Sequence, residues 1–376
     1  MSLKPRRLAI FVSFSGTGGV ERVTLNLLQG LSTHDVEVDL LAVIAKKGQL
    51  PEIPWPNVRL IDLKVKHSQM AIPALIRYLR SQYPDVLMVA KDRAVRAAVI
   101  AHWLARVDTR LVGQLHMNMT GFLASKPALQ RWLRTAPMRW LFPCLDKIVC
   151  VSEGVVEDTL AITGMPRDRV IAIRNPVITP ELAKQSEAPV DHPWFNEDVP
   201  VILGAGRLTP EKDFPTLIRA FSRVRQDKNC RLMILGEGPL QPELQRLIVE
   251  LGLEGVVSLS GYRANPFAYM KRASLFVMSS AWEGSGNVLV EALALGIPSV
   301  STDCPYGPRE TLANGKYGPL VPVGDYEALA DAMSDVLKNP LPSGFLRQAV
   351  LEFTIEYSAQ RYLDVLFSDF PKEKAG

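Results

Sequence analysis

Short apolar segments alternate with helix-like segments along the whole chain, and this alternation limits the fold more than any other feature. We predict strands in the first half at residues 8–14, 36–44, 86–90, 111–115, 147–151 and 171–175. The pattern starts again in the second half, with strands predicted at 201–205, 231–235, 256–259, 275–278, 299–302 and 320–322. Nearly continuous apolar strands separated by helices are typical of parallel sheets that are covered on both faces. The sequence therefore predicts an α/β protein with two parallel sheets.

The two halves predict two domains. A chain of 376 residues is longer than one α/β core usually covers. A polar, proline-containing stretch that ends near residue 199 is the best candidate for a linker. We expect an N-terminal domain at 1–180, a C-terminal domain at 181–348, and a helix at 349–376 that packs back on the N-terminal domain. Ligands of open parallel sheets bind beyond the carboxyl ends of the strands, so the chemistry is expected in the strand-to-helix loops.

Charge and cysteine content exclude several classes of protein. The net charge of +4 fits phosphate-bearing ligands or an anionic membrane surface, and it does not indicate a nucleic-acid-binding protein. The four cysteines are widely separated and have no histidine cluster nearby, which argues against a disulfide or zinc framework. The apolar run at the N-terminus is short and ends in glycines, so we interpret it as a strand and expect a cytoplasmic protein.

A glycine- and serine-rich loop after the strand at 275–278 is the most informative stretch. Asn287 is predicted to cap a helix at 288–295, which Gly296 and Pro298 end. The amides of Val288 and Leu289 at the start of this helix suit a phosphate.

Two carboxylates flank that helix start. Glu283 lies in the loop and Glu291 one turn inside the helix, and each can accept hydrogen bonds from two hydroxyls. A diphosphate between such acids suits a sugar nucleotide. A capping loop with two solvated acids remains an equally good interpretation of the spacing.

The wider pattern resembles the retaining glycosyltransferases of the GT-B fold, family 4. Seven residues separate Glu283 from Glu291, and ALALGIP follows Glu291. Further matches are GGVER at 18–22, His116, GRLTPEKDF at 206–214, LGEGPL at 235–240, GY at 261–262, DCPYGPRE at 303–310 and YGPLVPVGD at 317–325. The resemblance implies two Rossmann-like domains that face each other across a cleft. The N-terminal domain would bind the acceptor, and the C-terminal domain would bind the nucleotide-sugar donor.

The resemblance also implies roles for single residues. Glu291 would bind the ribose hydroxyls, Glu283 the transferred sugar, and the backbone near Tyr262 the base. Arg207 and Lys212 would neutralise the diphosphate leaving group, while His116 would lie near the transferred sugar. The residues support the cation roles independently, because Arg207 and Lys212 share one loop after a strand and can converge on one anion.

Three other places in the first half have two interpretations each. The turn at 15–19 lacks the spacing of a dinucleotide or P-loop motif, and its Gly18 and Gly19 either let donor phosphate or acceptor approach or simply form a tight turn. His116 is either a ligand of the sugar or a structural histidine. Lys91, Asp92 and Arg93 either meet the acceptor or form a solvated helix start.

Residues 114–145 mix basic and aromatic side chains at roughly helical spacing. They indicate an amphipathic segment that faces a membrane or contacts the phosphates of a lipid-linked acceptor, or else an ordinary half-buried helix. The residues concerned are Lys126, Arg131, Trp132, Arg134, Arg139, Trp140, Leu141 and Phe142.

The chain departs from the family pattern between its two acids. Ser285, Gly286 and Asn287 stand where an aromatic residue and a proline are common. No Asp-x-Asp motif follows a strand, so we expect no metal and no other cofactor, with Arg207 and Lys212 in place of a divalent ion.

The resulting prediction is an enzyme that transfers a hexose or N-acetylhexosamine from a nucleoside-diphosphate sugar, with UDP expected, and retains the anomeric configuration. The acceptor would be a bacterial surface glycan or its lipid-linked precursor, met in the cytoplasm or at the inner face of the membrane. Two alternatives stay open. One is a sugar-nucleotide epimerase, and the other is a non-catalytic sugar-nucleotide-binding subunit of a glycan-assembly complex.

Overall fold

The computed structural model describes residues 5–14, 18–44, 52–124 and 126–368. The chain divides into two compact units, Met1–Pro176 with Thr354–Gly376, and Val177–Phe353. The domain boundaries expected from the sequence were residues 180 and 348. The first is called unit 1 and the second unit 2.

Unit 1 begins with alternating strands and helices and ends with the last helix of the chain. Its elements are β1 (Arg6–Phe14), α1 (Gly19–Leu31), β2 (Val36–Ile44), β3 (Val58–Asp62), α2 (Ile72–Gln82), β4 (Val86–Ala90), α3 (Asp92–Ala105), β5 (Arg110–Leu115), α4 (Met119–Leu123), α5 (Ala128–Leu141), β6 (Lys147–Cys150), α6 (Glu153–Thr163), β7 (Val170–Ala172) and the late helix Ile355–Phe367.

The sheet of unit 1 has the strand order β3-β2-β1-β4-β5-β6-β7, and its paired strands are parallel. Apolar cores lie on both faces, which is why strands such as β4 are buried at every position. The late helix packs against α1. Gly30 permits this approach, because a Cβ there would lie 2.6 Å from the Ile355 carbonyl oxygen.

Unit 2 repeats the plan with shorter strands. Its elements are α7 (Pro180–Ser186), β8 (Val201–Ala205), α8 (Phe214–Asp227), β9 (Arg231–Leu235), α9 (Gln241–Glu250), β10 (Val257–Leu259), α10 (Phe267–Arg272), β11 (Leu275–Met278), α11 (Asn287–Ala294), β12 (Ser299–Thr302), α12 (Pro308–Thr311), β13 (Leu320–Val321), α13 (Tyr326–Lys338) and α14 (Ser343–Gln348); the late helix of unit 1 is therefore α15.

The sheet of unit 2 has the order β10-β9-β8-β11-β12-β13, and its paired strands are also parallel. Apolar side chains of α8, α9 and α13 fill one face, and those of α10, α11 and α14 fill the other. The predicted α/β class with two Rossmann-like sheets is therefore confirmed.

Some predicted elements were wrong in detail. The edge strand β3 was missed, and the predicted strand at 171–175 is the shorter β7. The C-terminal helix expected at 349–376 begins only at Ile355, in α15, and residues 369–376 lie outside the described residues. The segment 114–145 contains the two helices α4 and α5, with Pro137 inside the second, and begins with the last two residues of β5.

Candidate functional site

The strand order of unit 2 reverses between β8 and β11, which are neighbours in the sheet. Ligands of open α/β sheets bind at such a reversal, beyond the carboxyl ends of the strands. The loop after β8 carries Arg207 and Lys212, and the loop after β11 carries Glu283. Their position in the topology thus agrees with a ligand site in unit 2.

Hydrogen bonds hold these two loops together. The hydroxyl of Ser279 donates to the Lys212 carbonyl oxygen at 2.8 Å, and the amide of Ala281 donates to the Glu211 carbonyl oxygen at 2.8 Å. Backbone anchoring of this kind fixes where the side chains of both loops begin.

Lys212 and Glu283 form an ion pair at the centre of this region. The Lys212 ammonium donates to Glu283 Oε1 at 2.5 Å, and both side chains are largely removed from solvent. Ser280 Oγ donates to the same carboxylate oxygen at 2.7 Å, and Thr302 Oγ1 donates to the Ser280 carbonyl oxygen at 2.6 Å. Sequence reasoning missed Ser280, although its position directly after a strand is the signal that could have identified it.

Arg207 does not join this pair. Its side chain is 79% exposed, and its Nη2 lies 3.2 Å from Glu211 Oε1. Within the described residues no ion pair links Arg207 to Glu283. The predicted convergence of Arg207 with Lys212 therefore requires Arg207 to move, and its exposure leaves it free to do so.

Helix α11 begins differently from the prediction. Gly286, not Asn287, occupies the N-cap position, with φ of 70°, and Asn287 is the first helical residue. This left-handed conformation favours glycine, because residues with a side chain are strained at such a φ. A Cβ at this position would also lie 3.2 Å from Met278 Cε. The amide of Leu289, expected to be available for phosphate, donates to the Gly286 carbonyl oxygen at 2.9 Å.

Glu291 lies inside α11 and is almost fully buried, with 1% of its surface exposed. Its helical neighbours Val290 and Ala292 are buried as well. Ionised carboxylates are seldom buried without a function or a partner. The burial of Glu291 therefore argues against its interpretation as a solvated acid of a capping loop.

Glycines allow close contact between the three loops that follow β8, β9 and β10. The Gly236 amide donates to the Gly261 carbonyl oxygen at 2.8 Å, and a Cβ on Gly236 would lie 1.9 Å from the Gly206 carbonyl oxygen. The amide of Tyr262 donates to Glu237 Oε1 at 3.3 Å, while the Tyr262 side chain is 57% exposed. The backbone near Tyr262 thus lies beside the loop that carries Arg207.

Unit 1 has its own reversal of strand order, between β1 and β4. Lys91 follows β4, and its ammonium donates to the Ser13 carbonyl oxygen at 2.7 Å and to Glu21 Oε1 at 2.9 Å. Glu21 lies on α1 and is buried. The sequence predicted no role for Glu21, although this residue belongs to the GGVER motif at 18–22.

His116 follows β5 and borders the same region. Burial, with the nearby Lys91 ammonium as the second cause, lowers the pKa of His116 to about 4, so the imidazole is neutral near pH 7. Its Nε2 is removed from solvent and has no hydrogen-bond partner among the described residues. A neutral ring with one nitrogen still unsatisfied is suited to bind a hydroxyl.

The glycine turn is only partly described. Ser15, Gly16 and Thr17 lie outside the described residues, whereas Gly18 and Gly19 lead into α1. A Cβ on Gly19 would meet no atom within 4 Å, so the fold of unit 1 does not itself require a glycine there.

The described residues contain no group of three His, Cys, Asp or Glu side chains that could hold a metal ion. Metal-independent activity stays a prediction. No helix in the described ranges has the length and apolar content needed to cross a membrane.

Comparisons with known proteins identify the family. Residues 17–180 match the family described as Glycosyltransferase Family 4, and residues 190–350 match the one described as Glycosyl transferases group 1. The chain is a family 4 glycosyltransferase. The predicted membership of this GT-B family is thereby confirmed, and the loops after β8 and β11 are those of a glycosyltransferase.

Individual relatives of this glycosyltransferase span nearly its whole length. It is 30% identical over 348 residues, 89% of this chain and 91% of the other, to N-acetylgalactosamine-N,N'-diacetylbacillosaminyl-diphospho-undecaprenol 4-alpha-N-acetylgalactosaminyltransferase of Campylobacter jejuni. It is 28% identical over 372 residues to the lipopolysaccharide core biosynthesis glycosyltransferase LpsE of Rhizobium meliloti, covering 94% of this chain and 97% of that one. Among solved structures, Anabaena HepE in complex with UDP and glucose has a TM-score of 0.75 at 17% identity, covering 96% of this chain and all (100%) of that one.

Proposed function

We propose that this glycosyltransferase moves a hexosyl or N-acetylhexosaminyl group from a UDP-sugar to a lipid-linked or surface-glycan saccharide, with retention of the anomeric configuration. The observation that carries the proposal is the Lys212–Glu283 ion pair at the strand reversal of unit 2. A cation and a carboxylate held together at a ligand-binding edge suit a substrate that presents a diphosphate beside sugar hydroxyls.

The bound donor would replace the contact between Lys212 and Glu283 with contacts of its own. The Lys212 ammonium would bind the diphosphate, and the exposed Arg207 would swing in to a second phosphate oxygen. Glu283 would then accept hydrogen bonds from the transferred sugar, and Glu291 from the ribose. Fixed cations stabilise the negative charge that accumulates on the diphosphate as the anomeric bond breaks.

Retention is proposed to proceed by front-face substitution. The bond between the anomeric carbon and the diphosphate oxygen breaks while an acceptor hydroxyl oxygen bonds to the same face of the sugar. The hydroxyl proton passes to the departing phosphate oxygen. Glu283, which would accept hydrogen bonds from the sugar and from Ser280, is a ligand in this scheme and not a nucleophile.

The choice of UDP and of the acceptor draws on relatives. HepE was crystallised with UDP and glucose, and the name of the Campylobacter enzyme specifies a saccharide on diphospho-undecaprenol. The LpsE name refers to lipopolysaccharide core synthesis. By extension we place the acceptor among bacterial surface glycans and their lipid-linked precursors, and the reaction in the cytoplasm at the inner face of the membrane.

Helix α5 supports a peripheral membrane contact. Of its 14 residues only Met138 is buried. An exposed apolar stripe runs along it at helical spacing, and we call it the α5 stripe: Leu129 (67% exposed), Trp132 (59%), Leu133 (54%) and Trp140 (80%). Arg139 is exposed beside the stripe, and Arg131 is exposed on another face of the same helix. Apolar and aromatic side chains flanked by arginines suit the headgroup region of an anionic membrane.

A donor screen tests the proposed substrate class. Thermal shift with UDP-, GDP- and ADP-sugars should raise Tm only with the UDP compounds, and UDP release should then require an acceptor saccharide. Interconversion of UDP-sugars without an acceptor would favour the epimerase. Binding without transfer to any saccharide acceptor would favour the non-catalytic subunit.

A further inference from the structure

Two consecutive serines follow β11, and each of them holds a different member of the Lys212–Glu283 ion pair. Ser279 Oγ donates to the Lys212 carbonyl oxygen at 2.8 Å, whereas Ser280 Oγ donates to Glu283 Oε1 at 2.7 Å. Both serines are buried. Because the hydrogen bond from Ser280 ends on a side-chain atom, it restrains the orientation of the Glu283 carboxylate itself.

Ser280 is held in turn by the neighbouring strand. Thr302 is the last residue of β12 and is fully buried, and its Oγ1 donates to the Ser280 carbonyl oxygen at 2.6 Å. The Glu283 amide donates to the carbonyl oxygen of Pro305, which lies in the loop after the same strand, at 3.1 Å. Hydrogen bonds from and to β12 and its loop therefore support Glu283 through both its backbone and Ser280.

One oxygen of the Glu283 carboxylate is left for a ligand. The Lys212 ammonium and the Ser280 hydroxyl both donate to Oε1. In the part of the chain that the structure describes, Oε2 accepts no hydrogen bond, and it is not among the unsatisfied atoms that are closed to solvent. A carboxylate oxygen that solvent can reach is a ready acceptor for a sugar hydroxyl.

The two contacts to Oε1 differ in what happens to them when a donor binds. The Lys212 ammonium is proposed to turn to the diphosphate, so Glu283 loses its ion-pair partner. Ser280 is uncharged and buried, and the diphosphate does not draw its hydroxyl away from Oε1. The direction of Oε2 in the donor complex then depends on Ser280 and, through the Ser280 carbonyl oxygen, on Thr302.

We propose that Ser280 and Thr302 are positioning residues that direct Glu283 Oε2 at the transferred sugar and thereby set the preference among donor sugars. A carboxylate in a fixed orientation accepts a hydrogen bond from a hydroxyl at one position of the sugar and not at another. A site built to bind a hydroxyl in this way discriminates strongly against an analogue that does not present it. This inference rests on the proposed function, because it concerns the sugar of the same UDP-sugar donor.

Calorimetry with UDP and with UDP-sugars separates this role from a general loss of structure. The ligands are UDP and its conjugates with glucose, galactose, N-acetylglucosamine and N-acetylgalactosamine. Ser280→Ala should weaken the best-bound UDP-sugar by about tenfold, because it removes a hydrogen bond to a charged group, and should change the Kd of UDP by less than about twofold. The differences in Kd among the four UDP-sugars should become smaller.

Thr302 provides a second pair of variants in case Ser280→Ala folds poorly. Thr302→Val removes the hydroxyl at a similar side-chain size, and it should weaken the same UDP-sugar without weakening UDP. Thr302→Ser keeps the hydroxyl and should bind both ligands like the unmodified chain.

Ser299→Ala is the matched control. Ser299 is a buried serine at the other end of β12, and its hydroxyl donates to the Ile297 carbonyl oxygen at 3.0 Å. The control therefore also loses one buried hydrogen bond of unit 2, and it should leave the Kd of every ligand unchanged.

The proposal is overturned if Ser280→Ala and Thr302→Val weaken UDP as much as the UDP-sugar, because the whole site would then be distorted. It is also overturned if neither variant weakens the UDP-sugar, if all four UDP-sugars weaken equally, or if Ser299→Ala has the same effect. An unmodified chain that binds neither UDP nor any UDP-sugar would contradict the proposed function, and this inference with it.

Discussion

At the scale of single residues, Lys212 is the cation that the fold fixes most firmly. Its carbonyl oxygen is bound by Ser279 and its ammonium by Glu283. We expect Lys212→Met to lower kcat/KM for the donor by about 100- to 1000-fold, as loss of one preorganised charge contact usually does. Steady-state kinetics with varied UDP-sugar measures this.

Lys338→Met is the control for that variant, because Lys338 is an exposed lysine at the end of α13. The control should keep full activity. A Lys212→Met enzyme as active as the control would show that Lys212 does not stabilise the departing diphosphate.

Glu291 and Arg207 should affect different kinetic constants. Glu291 is buried in α11 and is proposed to bind the ribose, so the isosteric Glu291→Gln should raise the donor KM about tenfold with a smaller change in kcat. Arg207 is exposed, so Arg207→Ala should leave Tm unchanged and mainly lower kcat. Unchanged kinetics in both variants would refute these assignments.

His116 should make stability depend on pH in a defined window. Its pKa in the folded chain is about 4, below the value of about 6.5 in an unfolded chain, so the unfolded state binds more protons between these values. The stability that neutral His116 contributes is present above pH 6.5 and is lost as the pH falls toward 4. Tm of the unmodified chain should therefore fall more steeply over this range than Tm of His116→Gln. Parallel curves for the two proteins would contradict the burial of a neutral imidazole.

At the scale of elements, the bounds of inner strands were predicted more accurately than those of edge strands. The predicted bounds of β2, β4, β8, β9, β11 and β12 coincide with the observed bounds. Strands such as β4 and β11 are apolar throughout because both faces of the sheet are covered. Strand β3 was missed because it lies at a sheet edge and carries Arg59 and Asp62. The start of α11 was misassigned because a glycine in the left-handed region can take the place of a side-chain cap.

Gly286 should matter for both stability and activity. Its φ of 70° is unfavourable for alanine, so Gly286→Ala should cost about 1 kcal/mol of unfolding free energy and shift the start of α11. Gly252→Ala is the control, since Gly252 has φ of 64° and no atom within 4 Å of a Cβ. Denaturation and donor kinetics should show a similar loss of stability in both variants and a higher donor KM only for Gly286→Ala. A higher donor KM in both variants would mean that lower stability alone explains the effect.

The α5 stripe should control membrane binding. Replacing Trp132 and Trp140 together with Ser should reduce cosedimentation with anionic phospholipid vesicles by about tenfold, and it should leave Tm nearly unchanged because both side chains are exposed. Tyr357→Ser, at an exposed aromatic residue of α15, is the control. Equal vesicle binding by all three proteins would exclude the stripe as the membrane contact.

At the scale of the whole molecule, the residues proposed to act in the reaction follow strands that lie at or next to the point where the strand order of each unit reverses. That is why Lys212, Glu283 and His116 could be located from sequence as residues that follow strands. The partners of these side chains could not be predicted, because ion pairs such as Lys212–Glu283 and Lys91–Glu21 join residues far apart in the sequence.

Metal independence is a prediction that concerns the whole enzyme. Since Arg207 and Lys212 are proposed to take the place of a divalent ion, UDP release with an acceptor should be unchanged by EDTA. An assay with EDTA and with EDTA followed by excess Mg²⁺ or Mn²⁺ measures this. Activity that disappears with EDTA and returns with either ion would contradict the prediction.

The stereochemistry of the transfer product tests the proposed reaction most directly. The enzyme would be incubated with an α-linked UDP-hexose and a polyprenyl-diphosphate-linked N-acetylhexosamine, and the product examined by NMR and mass spectrometry. Front-face substitution predicts one added hexose whose anomeric coupling constant is that of an α-glycoside, with one UDP released for each hexose. A β-linked product, or an unchanged acceptor together with an epimerised UDP-hexose, would contradict it.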